Sequence, residues 1–183
     1  MNIINNLVLP IWNKDIYEKI SHYSRKPLIN FDLERENIVW KKFNSQSTIL
    51  NLNDFVMNNF KFIKLGKLSN SSLISAIISV CNYEKKFEKR LISSIVFPQK
   101  DNITMVNKHG TYGIKLYFNG AFRYLEVDDR IPFDKITQKP LFSQCQSSDE
   151  FWLQLIEKSL LVLYDFKKIK TNPSYEIYHL CGW

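Results

Sequence analysis

From Lys61 to Cys81 the chain reads KFIKLGKLSNSSLISAIISVC. Leu73, Ile74, Ile77, Ile78 and Cys81 recur at i, i+1, i+4, i+5 and i+8, one broad apolar face of a helix. Ser69 or Asn70 is the residue type that caps such a helix at its start. The first turn of a helix exposes unpaired N–H groups and the positive end of the dipole, a setting that stabilises a thiolate or an oxyanion. The residue there is Ser71, whose hydroxyl ionises far above the thiol range and needs a base beside it to act as a nucleophile. A second chemistry to weigh is metal binding at Asp128-Asp129. Adjacent strand residues point to opposite faces, so a shared metal is not expected and a turn- or loop-anchoring role is.

The elements that would position these residues follow from periodicity and punctuation. After the helix from Asn70, the stretch EKKFEKRLISSIVFP predicts a second helix with Phe87, Leu91, Ile92 and Ile95 inward, stopped by Pro98. TYGIKLYFNGAFRYLEVDD alternates on both sides of Asn119-Gly120, a pair that supplies the positive φ angles of a tight type I′ hairpin turn. In SSDEFWLQLIEKSLLVLYDF, Ser147 and Glu150 have capping-box spacing, and the apolar residues beyond wrap most of the circumference. A helix of that kind, from about Ser148 to Phe166, is expected in the middle of a domain with the central helix packed against it. The order helix, helix, hairpin, helix is α+β. Upstream, an amphipathic piece around Asp15 to Tyr23, an extended start at Pro27 and a polar loop from Asn44 to Asn53 read as a lead-in over 1–45 to a domain over 46–183.

The 183 residues carry a formal charge of +7, but the lysines are scattered and no zinc spacing, RNA-binding aromatic motif or basic stripe accompanies them. Nucleic acid is therefore not the expected partner. No apolar run approaches the roughly 20 residues of a membrane helix, and MNIINNLVLPIWNKD has neither a basic leader nor a small-residue cleavage site. With Cys81, Cys145 and Cys181 odd in number and far apart, the expected setting is a reducing cytoplasm.

The ordered set GTYGIKLYFNGAFRYLEVDDRIP, LFSQ, DEFWLQLIEKSLLVL and SYEIYHLCGW resembles the first lobe of the calpain cysteine-peptidase core. KRLISSIVFPQ and the ending His179 to Trp183 are most similar to the PalB-type branch. The resemblance implies a papain-like fold of two lobes, with a Cys starting the central helix of the first and a Gln upstream serving the oxyanion hole. The second lobe, further along, carries His and Asn. Carried over, the nucleophile position falls on Ser71 and the oxyanion position on Leu65, both degenerate. A Cys-to-Ser change made to silence the protein would have left a Gln at 65. The His/Asn lobe has no counterpart before Trp183, and His22, His109 and His179 are not expected to replace it. Calcium, bound by calpains in this lobe, is not expected as a cofactor: Glu150 matches one ligand, but the other falls near Phe62, which has no oxygen to offer.

Three readings follow from the resemblance. The chain is the nucleophile lobe of a protease completed by a second lobe supplied elsewhere, a silent pseudoprotease lobe that binds a protein or peptide partner, or a remnant. The second is favoured. A free first lobe also exposes the surface meant for its mate, so self-association is expected of it.

Overall fold

A computed structural model describes residues 2–4, 7–13, 15–16, 37–43, 63–68, 70–145, 151–164 and 172–183. The expected capping box at Ser147 and Glu150, as well as Phe62, His22, the Pro27 segment and the Asn44–Asn53 loop, lie outside them. Of the amphipathic lead-in, Asp15 and Ile16 are described; they are helical, with the Asn13 side chain accepting from the Ile16 N–H at 2.8 Å.

Helix α1 (Ser71–Phe87) starts where its sequence signals place it. Asn70 is extended at φ −100°, and its side chain accepts from the Ser72 N–H. Leu73, Ile74, Ala76, Ile77, Val80 and Cys81 form the buried face, and Lys85 and Lys86 sit in the last turn, where the dipole favours cations. The end of the helix differs from expectation. EKKF belongs to α1 itself, Glu88 closes it in the left-handed region, and Ile92–Ser94 is a single 3-10 turn rather than a second helix. The reason is Glu84, buried on α1, whose carboxylate accepts from the Leu91 and Ser93 N–H groups and from the Ser93 hydroxyl. Those bonds hold the chain in a turn after the helix end. Ile92 and Ile95 are buried as expected, while Phe87 is half exposed.

The hairpin is as expected. Strands β8 (Thr111–Phe118) and β9 (Ala121–Asp128) pair antiparallel along their full length, and Asn119 and Gly120 both take positive φ, 48° and 76°. The short strand β5 (Val96–Phe97) adds to the outer edge of β8. Residues 9–12 run along β9: the Trp12 N–H donates to the Phe122 carbonyl, the Tyr124 N–H to that of Pro10, and the Arg123 guanidinium to that of Leu9. Strand β10 (Arg130–Asp134) pairs with β3 (Ile38–Lys42), and β11 (Gln144–Cys145) with β4 (Ile63–Lys64). The described parts of the lead-in therefore lie against the same structure as the rest, with Leu9 in the core.

Helix α2 (Trp152–Tyr164) is buried from Trp152 to Leu163, as a helix apolar on nearly all sides must be. Its polar residues are anchored. Glu157 accepts from the Ser143 N–H and hydroxyl, and Lys158 donates to the Asp128 carboxylate and to the carbonyls of Asp128 and Arg130. The chain then forms α3 (Pro173–Cys181), with Asn172 as N-cap, Pro173 in the first turn and Gly182 left-handed at the end. The element order is thus helix, hairpin, helix, helix. Helix α1 lies closest to α3 and the 92–94 turn, shares one apolar core with α2, and meets it at its first turn across a small cavity.

Candidate nucleophile-position site

Strand β4 delivers residues 65–68 to the start of α1. Its pairing with β11 and the Leu68 N–H to Leu141 carbonyl bond fix this loop on the 141–145 segment. Gly66 permits the close approach, because a Cβ there would collide with the carbonyls of Leu141 and Phe142. Lys67 extends to Asp134 at 3.2 Å, and two backbone N–H groups of the 136–137 turn with that lysine hold the Asp134 carboxyl down to about 2. Leu65 stands 52% exposed on this anchored loop, with no hydrogen-bond donor in its side chain.

Ser71 is the first residue of α1 and is exposed. Beside it the helix start is capped at Ser72. The Asn70 carbonyl oxygen of the side chain accepts from Ser72 N–H at 2.9 Å, while its amide donates to Glu176 at 2.8 Å. The Ser72 hydroxyl donates to the other Glu176 oxygen at 2.6 Å. Glu176, in the first turn of α3, is 1% exposed. Burial pushes its carboxyl up, and the two donors partly offset that. Leu68, Asn70, Leu73, Glu157, Tyr164 and Glu176 are among the residues around a cavity of about 10 Å³, room for a single water-sized body. The Tyr164 hydroxyl has no hydrogen-bond partner among the described residues, and burial followed by the Glu176 charge pushes its ionisation upward.

Among the described residues, neither His109 nor His179 is brought to Ser71. His109 is exposed in the turn before β8, its N–H bonded to Asn107. His179 is buried one turn beyond Glu176, with Nδ1 2.8 Å from the Tyr117 carbonyl and its ring stacked on Phe118. Burial holds it below the ordinary imidazole value, so it is neutral near pH 7. Asp128 and Asp129 diverge as expected for anchoring residues. Asp128 meets Arg130 and Lys158; Asp129 lies beside Gly110 and 3.6 Å from Lys42. Among the described residues no group of three or more His, Cys, Asp or Glu could hold a metal, and no helix is long and apolar enough to cross a membrane. The three cysteines are buried, and none is in a disulfide.

The sequence reading of this site omitted Glu176. Asn172-Pro173 and Gly182 mark α3 and would have placed Glu176 in its first turn, but nothing local pairs it with residues 106 and 104 positions earlier.

Comparison with known proteins bears on this geometry. The sequence profile of the calpain family cysteine proteases matches residues 22–177. Calpain-7 of Sus scrofa and that of Homo sapiens are each 34% identical to this chain over 125 residues, 66% of it. The calpain-like protease palB/cpr-8 of Neurospora crassa is 30% identical over 117 residues, 60% of the chain and 12% of that protein. The chain spans about 15% of the length of the calpain-7 relatives it matches.

Proposed function

The chain belongs to the calpain family of cysteine proteases, and from that premise we propose that it is a catalytically silent first lobe of the papain-like core, serving to bind a peptide or protein partner. One observation carries the reading. At the helix start where a cysteine would be activated stands Ser71, and on the anchored loop that would present the oxyanion donor stands Leu65. A serine with no base has no path to an alkoxide near neutral pH. Losing one oxyanion donor alone typically costs about 10²–10³ in rate. What remains of the site is a wall: a loop packed on the 141–142 backbone at Gly66, with the Lys67–Asp134 pair beside it, and a capped helix end. A wall of that kind retains a peptide without cutting it. In this reading residues 46–183 form the lobe and 1–45 its lead-in, calcium is not required, and the absence of a disulfide among the three cysteines suits a reducing compartment.

The rival reading, a lobe made active by a His- and Asn-bearing segment, is separated by one assay. The protein and its Ser71→Cys/Leu65→Gln variant are treated with cysteine- and serine-directed activity probes, and adducts are located by mass spectrometry. The silent reading expects no adduct on Ser71 of the unmodified protein. A covalent adduct there overturns it.

A further inference from the structure

Glu176 is a whole buried carboxylate placed at the N-terminal turn of α1, the end of a helix that otherwise carries about half a positive charge. We propose that Glu176 is an electrostatic silencer of this helix end: its charge overrides the dipole at position 71 and holds a nucleophile there in its protonated form. The inference rests on the reading of Ser71 as the nucleophile position and adds how that position is governed.

Among the described residues, no cation faces this charge. Its two bonded partners, Asn70 and Ser72 on α1, are neutral donors that favour the ionised form without cancelling it. From α2, the cavity is faced by Tyr164 and by a second carboxylate, Glu157, and no lysine or arginine is among its described lining residues. On α3 itself His179 is turned to the Tyr117 carbonyl and held neutral by burial. The field of Glu176 reaches across the cavity, where it adds to the burial of the Tyr164 hydroxyl. Glu176 is bonded to both sequence neighbours of the exposed Ser71, so its charge acts on position 71 from within a Debye length of about 10 Å. The ordinary expectation, that a helix start lowers a thiol's pKa, is therefore reversed here.

The test uses thiols introduced at position 71, since Cys81, Cys145 and Cys181 are buried and react slowly. Alkylation by iodoacetamide is followed against pH for Ser71→Cys, Ser71→Cys/Glu176→Gln and Ser71→Cys/Glu176→Asp. The single variant is expected to titrate at or above the unperturbed thiol value of about 8.5. The Gln variant should titrate at least about one unit lower, a tenfold gain in thiolate at neutral pH, and the Asp variant should stay with the single one. A purely structural role for Glu176 would not move the titration. Equal titration of the single and Gln variants overturns the proposal. If the Gln variant does not fold, the single variant is compared with a Ser75→Cys reference one turn along the exposed face, and a lower pKa at position 71 overturns it equally. Peptide turnover by the unmodified protein bears instead on the silent-lobe reading and leaves this comparison of thiols intact.

Discussion

Two carboxylates packed against helices, Asp128 and Glu176, are handled in opposite ways. At the junction of β9, β10 and α2, Asp128 is met by the Arg130 guanidinium at 2.7 Å and by the Lys158 amine, whose pKa burial lowers to about 7. Lys158 is itself 2% exposed, completes its donors on two backbone carbonyls and lies under the Trp40 ring. At the start of α1, Glu176 meets, among the described residues, the neutral side chains of Asn70 and Ser72. The first arrangement cancels its charge locally and holds strand to helix. The second leaves a net negative field beside Ser71. Charge that is cancelled builds the fold, and charge that is left over acts on its neighbours.

The contrast is broken most forcefully at Lys158. Lys158→Ala leaves Asp128 with one cation and strips two carbonyls of their donor, and removal of one member of a buried pair costs about 3–5 kcal/mol. Urea denaturation should show a large loss of midpoint with little change in slope. Lys158→Met, which keeps the packing under Trp40, should lose less. A loss within about 0.5 kcal/mol for the alanine variant would mean that the junction is not held by this pair.

A smaller effect is expected at the cap. Asn70→Ala removes the acceptor of the Ser72 N–H and one donor to Glu176, for a loss of about 1 kcal/mol. Combined with Glu176→Gln it should be less than additive, because the two share a hydrogen bond. Full additivity would place the two side chains in separate roles.

The smallest effect, and the most diagnostic of uncancelled charge, is a pH slope. Burial raises the folded-state pKa of Glu176 above its unfolded value. As pH falls from neutral, the native protein takes up this proton before the unfolded chain does, so the group's contribution to stability rises and levels off below about 4.3. In Glu176→Gln that rise should be absent, while stability at neutral pH stays unchanged or increases. Thermal melts of the two proteins between pH 7 and pH 5 (roughly the span over which a raised carboxyl titrates) make the comparison. Parallel profiles would show that Glu176 carries no excess charge.

These regions also mark where a sequence can be read and where it cannot. The Asn119-Gly120 hairpin was legible because its turn needs two positive φ angles and the pair advertises them. The start of α1 was legible because a cap and an apolar face are local signals. Its end was not: no Gly or Pro lies between Phe87 and Ile95, and the stop depends on Glu84 capturing N–H groups seven and nine residues ahead. Helix α3 carried cap signals that the apolar pattern overshadowed. Ser71 and Leu65 were reached through a family resemblance, since neither residue type announces a site. Glu176 joins them only in three dimensions, when α3 packs on α1.

The central claim, that the helix start at Ser71 is a nucleophile position without chemistry, is tested most directly by turnover of a fluorogenic peptide library. The unmodified protein and its Ser71→Ala variant are assayed side by side, with and without millimolar calcium. The expected result is the same background rate for both proteins under both conditions. Turnover by the unmodified protein that disappears in Ser71→Ala would contradict it.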